Sequence, residues 1–161
     1  MNELPQTQSR AIYGGIPEVE SASPSGLKDL GISAIFLHSG SITKERSESL
    51  KSQGIKFFAE FNTMHVKSFL EDFPDAAPIG PDGQISPPPH DWQGICPTHQ
   101  PYRKDRMESF RRLLVDYELD GIWLDYHHAH SSWERADPAM PDTCFCDRCL
   151  GQFQEATGVA L

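Results

Sequence analysis

Short apolar strands alternating with helix-compatible stretches predict an α/β chain: about the first four β/α units of a partial (β/α) TIM-type barrel, with parallel strands. Three observations carry this expectation. Four segments rich in β-branched and aromatic residues recur along the chain, and the stretches between them carry helix caps, helix stops or helical periodicity. Each predicted strand is apolar inside and ends on residues able to do chemistry, which suits parallel α/β folds, whose sites lie at the carboxyl ends of strands. The 161 residues suffice for one domain but fall short of the ~250 of a complete eight-unit barrel. Residues 1–10 (MNELPQTQSR) are expected to be a flexible N-terminal tail, and residues 11–161 the N-terminal half of the barrel.

The first strand is placed at Ala11–Ile16 (AIYGGI), where Gly14 and Gly15 permit close backbone approach. A short helix over Ser23–Leu30 stops at Gly31, and Ser33–Leu37 (SAIFL) is a buried second strand closing on His38. A helix over Ile42–Gln53 stops at Gly54, and Ile55–Phe61 (IKFFAEF) is the third strand. Eight of the 13 prolines fall between Pro74 and Pro101, including Pro87-Pro88-Pro89, a density that predicts a long, stiff loop. Phe110, Leu113, Leu114 and Tyr117 then mark one apolar face of a helix over Tyr102–Tyr117. Asp120–Tyr126 (DGIWLDY) is the fourth strand, and a last helix begins near Cys146 and runs toward Gly158.

Composition narrows the function classes. With 23 acidic and 14 basic residues the net charge is −9, which argues against a nucleic-acid surface. The densest basic run, Arg103–Arg112, carries an apolar face at helical spacing and is expected to be a solvated helix face. No stretch approaches the ~20 apolar residues of a membrane span, so no membrane partner is expected. The polar opening shows no secretory h-region, which favours the cytoplasm.

The candidate chemistry lies at the strand ends. Side chains alternate along a strand, so Trp123 and Asp125 share one face and Ile122 and Leu124 the other. With the first pair facing a barrel interior, Asp125 reaches its rim as a candidate nucleophile; equally, an Asp there can cap the following loop through its own backbone. Glu60 is the other strand-end carboxylate and the candidate acid partner, unless it pairs with Lys56 or His38. Two carboxyls are what glycosidic bond cleavage requires. Tyr13, His38, Asn62, Tyr126, His127 and His128 complete the expected substrate-binding set. A metal site built from His127, His128 and His130 is a weaker alternative, since adjacent residues on an extended segment point apart. Trp92 and Trp133 could stack on a sugar ring or cover a core edge.

All four cysteines fall in one pattern: Cys96, then the C-x-C-x-x-C hook of Cys144, Cys146 and Cys149. Four thiolates are the complement of a closed tetrahedral zinc site, which would be structural because no coordination position is left open. Free thiols, disulfides or a redox pair at Cys146 and Cys149 are the alternatives. All four cysteines are expected in loops.

The series GICP (Gly94–Pro97), a helix, DGIWLDYHH (Asp120–His128) and CFCDRCLGQFQEATG (Cys144–Gly158) resembles the glycoside-hydrolase-like TIM-barrel proteins, relatives of the α-amylase-type and β-galactosidase-type barrel enzymes. The cysteine arrangement is similar to the structural zinc cluster of family 42 β-galactosidases. The resemblance implies a carbohydrate substrate, zinc on Cys96, Cys144, Cys146 and Cys149, and Asp125 as the strand-four nucleophile. It departs in one respect: in such enzymes the partner acid usually sits on a later strand, and this chain ends before a fifth. A four-strand parallel sheet exposes edges and an apolar interior face. It would therefore associate with a second copy or with a missing C-terminal half, and non-catalytic sugar binding or self-association is the alternative to catalysis.

Overall fold

The computed structural model describes residues 9–14, 26–86, 94–127, 136 and 142–160. Within them lie β1 (Arg10–Tyr13), α1 (Gly26–Asp29), β2 (Ile32–His38), α2 (Lys44–Ser52), β3 (Lys56–Asn62), α3 (Lys67–Asp72), α4 (Gln100–Asp116), β4 (Gly121–Asp125) and α5 (Asp147–Thr157). The four strands form one parallel sheet in the order β1-β2-β3-β4. The chain divides into two compact units, Met1–Phe61 with Arg111–Leu124, and Asn62–Phe110 with Asp125–Leu161.

The first unit holds most of the sheet. Phe36 pairs with Phe58, Leu37 with Ala59 and His38 with Glu60 along the β2–β3 ladder, and Tyr13 of β1 pairs with Phe36. Side chains therefore sort by parity. Ile35, Leu37, Phe57 and Ala59 are buried on one face, in a core that also holds Leu27, Leu50, Ile55 and Leu113. Full burial of such side chains contributes roughly 1.5–3 kcal/mol each. The other face is aromatic: Phe36 stacks on Phe58 with centroids 4.6 Å apart, and Trp123 meets Phe36 edge-on at 6.0 Å. Tyr13 and Trp123 there remain about half exposed. The start of β4 is locked to β3 twice, Phe57 N donating to Asp120 Oδ2 and Asp120 N to the Phe57 carbonyl, both at 2.8 Å.

Helix boundaries follow local chemistry. The helix expected from Ile42 starts at Lys44 instead, because Thr43 Oγ1 accepts from Arg46 N at 3.2 Å and makes Thr43 the N-cap. Gly54 adopts φ +65° just past α2, as a helix stop requires. Helix α4 starts at Gln100, two residues early, since Pro101 fits a first helical turn. Its expected apolar face is only partly right: Leu113 is buried but Leu114 is exposed. Arg106 of the basic run also turns inward, lying 6.0 Å from the Tyr102 ring and donating to the Asn62 carbonyl at 3.4 Å.

The second unit is where the expectation of one long loop fails. Helix α3 precedes the proline tract, and the tract itself holds a 3-10 turn at Pro74–Ala76 and an antiparallel bridge between Ile79 and Ile85. Ala76, Ile95 and Tyr102 form its buried cluster, with Val66, Phe69 and Leu70 packed against it. Gly15, Ile16, Ser23–Ser25, Pro87–Pro89, Trp92, His128, His130 and Trp133 lie outside the described residues. Among those described, no helix is long and apolar enough to cross a membrane.

Two glycines offer a paired test. A Cβ at Gly121 would sit 2.8 Å from Phe58 Cε1, whereas one at Gly151 of α5 meets nothing within 4 Å. Gly121→Ala is expected to destabilise the chain by about 1–3 kcal/mol through overpacking. Gly151→Ala should be neutral or stabilising by up to ~1 kcal/mol. Chemical denaturation of the two variants checks both signs.

Candidate metal centre and strand-end carboxylates

The sulfurs of Cys96, Cys144, Cys146 and Cys149 all lie within 4.8 Å of one another. Cys96 Sγ is 3.6 Å from Cys146 Sγ and 3.5 Å from Cys149 Sγ. A disulfide would need about 2.05 Å, and all four are free thiols. Tetrahedral zinc with Zn–S near 2.3 Å would space its sulfurs by about 3.8 Å. The residues therefore fit a metal ion bound by four thiolates.

Several local features build this cluster. Cys96 is fully buried, its N–H donating to the Ala76 carbonyl at 2.7 Å. Phe145 N donates to the Ile79 carbonyl at 2.8 Å, and Ile79 N donates back to Cys144 Sγ at 3.3 Å. Residues 76–79 thus tie the Cys96 loop to the hook. The expectation that all four cysteines lie in loops is corrected: Cys146 is the N-cap of α5 and Cys149 sits in its first turn. An x-x spacing that starts at an N-cap brings two thiols onto one side of a nascent helix. Thr98 Oγ1 bridges the sulfurs of Cys96 (3.1 Å) and Cys149 (3.3 Å).

Crowding splits the thiol acidities. Burial raises Cys144 to about 11 despite hydrogen bonds from the Ile79 and Cys146 backbones. Burial also raises Cys149 well above the usual thiol range, with Cys96 and Cys144 adding to it. For Cys146 burial opposes ionisation, but hydrogen bonds from the Cys149 backbone and the neighbouring thiols outweigh it and bring the group down to about 7.

The second unit also carries the Asp125 turn. Asp125 Oδ1 accepts from Tyr126 N at 2.7 Å, the backbone-capping geometry open to an Asp at a strand end. The Asp125 carbonyl accepts from both Thr63 N (2.9 Å) and Thr63 Oγ1 (2.8 Å). Tyr126 then adopts φ +52°, a left-handed conformation that strains a bulky residue by about 1–3 kcal/mol. Its ring lies 5.4 Å from that of His65. Asn62 is engaged with the same loop: Oδ1 accepts from His65 N at 2.8 Å and Nδ2 donates to the His65 carbonyl at 2.5 Å. Tyr126 is half-buried and His127 exposed.

In the first unit, Glu60 and His38 are ladder partners on the face that carries Tyr13, Phe36 and Phe58. Glu60 is 5% exposed, and among the described residues its side chain pairs with neither Lys56 nor His38. His38 Nδ1 accepts from Gly40 N at 3.2 Å, so the neutral ring carries its proton on Nε2.

No protein-family model matches the chain, and comparison with curated proteins gives no relative. Among solved structures, the chain is similar to the noncanonic maltogenic alpha-amylase AmyB from Thermotoga neapolitana, with a TM-score of 0.57 and 12% sequence identity. The match covers 92% of this chain and 42% of that one, so the chain spans less than half of the enzyme. The likeness is one of fold.

Sequence reasoning found all four cysteines but missed Asp75, Thr98, His99 and Arg148, which surround them. Only Arg148 carried a signal, as the cation between two cysteines of the hook. Elemental analysis is expected to give one thiophilic metal ion per chain, lost in Cys96→Ser. Cys144 and Cys149 hold their protons at neutral pH, so metal uptake must displace them. Affinity should therefore rise with pH and fall on acidification, which a chelator competition at several pH values measures.

Proposed function

We propose that the chain is a glycoside-hydrolase-like domain of partial (β/α) barrel type, contributing about four β/α units and acting on carbohydrate. The single observation that carries this is Asp125: a carboxylate at the carboxyl end of a parallel strand, followed by a strained left-handed tyrosine. Strain of that kind persists where the surrounding structure enforces it, commonly at functional sites. The fold likeness to a maltogenic alpha-amylase supports the same reading.

In this reading Asp125 is the nucleophile. Its carboxylate attacks the anomeric carbon while a second carboxyl protonates the leaving oxygen. Water then cleaves the glycosyl ester, returning a proton to that second carboxyl. Asn62, Tyr126 and His127, which belong to the same unit as Asp125, are the substrate-binding residues of this reading. The half-exposed rings of Tyr13 and Trp123 offer apolar faces to a sugar. Zinc on Cys96, Cys144, Cys146 and Cys149 is structural, with all four ligands supplied by the protein. Reduced thiols suit a reducing compartment, consistent with a cytoplasmic protein.

Turnover of aryl glycosides by the wild-type chain, with Asp125→Asn lowering kcat on the order of a thousandfold or more, is the expected result. Added azide should restore turnover to Asp125→Gly as the glycosyl azide, because a small anion can replace a missing nucleophile. Unchanged turnover in Asp125→Asn would remove Asp125 from the reaction.

A second reading, a non-catalytic half-barrel that associates with a second copy or a C-terminal half, is favoured by one observation. Strand β4 exposes Trp123 on one face and Leu124 on the other, and Leu114 and Val115 of α4 are exposed as well. Sedimentation velocity should then show a concentration-dependent dimer that Leu124→Lys dissociates; a monomer at all concentrations speaks against self-association.

A further inference from the structure

We infer that Arg148, Asp75 and His99 form an outer shell of the four-cysteine centre, in which Asp75 aims the Arg148 guanidinium at the metal-bound thiolates. This inference rests on the reading of the cysteines as a metal site and deepens it.

A divalent ion on four thiolates carries a net charge of −2, which a cation beside the sulfurs stabilises. Arg148 lies inside the hook, between Cys146 and Cys149, on the first turn of α5. Two of its nitrogens are fixed by one residue: Nη1 donates to Asp75 Oδ2 at 3.1 Å and Nη2 to the Asp75 carbonyl at 2.6 Å. The third, Nε, is buried and has no hydrogen-bond partner among the described residues. A buried N–H on a guanidinium is costly to leave unpaired, so this donor is held for an acceptor. The thiolates of the flanking hook are the acceptors we assign to it.

The shell continues one residue further. His99 Nε2 lies 3.4 Å from the same Asp75 Oδ2, and its side chain is almost fully buried. Tyr102 N donates to His99 Nδ1 at 3.3 Å, which leaves the proton of the neutral ring on Nε2, facing Asp75. Phe69 and Phe73 meet the His99 ring edge-on at 5.6 and 5.8 Å and restrict its rotation. His99 N also donates to the Cys96 carbonyl at 3.1 Å, so the residue that steadies Asp75 belongs to the loop that presents Cys96. Arg148 and Asp75 are thus positioning residues. They act on the metal through the sulfurs, as hydrogen-bonded outer groups do at other metal sites.

Orientation and bulk charge predict opposite signs for one variant. Asp75→Asn removes a negative charge near the centre, which would tighten metal binding if net charge alone mattered. If Asp75 works by aiming the guanidinium, the same change weakens it. We measure zinc affinity of the 161-residue chain by chelator competition, together with the energy of the sulfur-to-metal charge-transfer band of the Co2+ form. A purely structural role would leave that band in place. Arg148→Gln is expected to weaken zinc 10–100-fold and to shift the band, with Arg148→Lys intermediate and Asp75→Asn weakened as well. Wild-type affinity and an unshifted band in Arg148→Gln overturn the inference, and tighter binding by Asp75→Asn overturns the aiming role. A wild-type chain that takes up no metal, or a Cys96→Ser chain that binds it undiminished, instead overturns the four-cysteine site on which the inference rests.

Discussion

Four thiols within 4.8 Å of one another set a charge problem that the second unit is arranged around. Each additional thiolate raises the cost of ionising the next, and burial adds to that cost. The raised Cys144 and Cys149 beside a lowered Cys146 are the outcome: without a cation, the cluster settles one negative charge most readily on the sulfur at the helix N-cap. That position is favourable, because the N-terminal end of α5 presents unpaired N–H groups and the positive end of its dipole. A metal ion removes the conflict by compensating all four thiolates together. It would also close a long stretch of sequence, since its ligands run from Cys96 to Cys149, and folding and metal binding would then reinforce each other.

The proline tract takes on a different meaning beside that centre. Prolines were expected to make the segment stiff and irregular, and its role is to supply backbone partners at fixed points. Ala76 accepts from Cys96, Ile79 exchanges hydrogen bonds with Cys144 and Phe145, and Asp75 holds Arg148. Three separate segments, 75–79, 94–99 and 142–149, form one hydrogen-bonded frame. A helix or a central strand would use these same backbone groups internally. An irregular, proline-stiffened segment leaves them free to serve the hook at little conformational cost.

What could be read from sequence divides along a physical line. The strands were legible because their signal is local: β-branched and aromatic runs bounded by glycine, with alternating burial. Ile35 and Leu37 or Phe57 and Ala59 fall on one face by parity alone. The cysteine set was legible because four thiols at metal-ligand spacing have few other uses. Helix α3 was missed because KSFLED offers only six residues and no side-chain cap at Val66. Leu114 was misassigned because periodicity defines a stripe but not how wide a stripe its neighbours cover. The outer residues were out of reach for another reason. Asp75 and Arg148 are 73 positions apart, and a pair so distant in sequence leaves no periodic trace.

The two strand-end carboxyls are held in different ways. Asp125 is tied to its own turn, one oxygen on Tyr126 N and its carbonyl on Thr63, so its position is fixed by bonds that any strand-end Asp can make. Glu60 lies on the face shared with Phe36 and Phe58, 5% exposed, and its place is set by the ladder pairing with His38. The two carboxyls are thus placed by different means, Asp125 by its own turn and Glu60 by the strand ladder. A strand-end position is legible in sequence because alternation marks it, whereas the bonds that hold each side chain depend on residues distant in the chain.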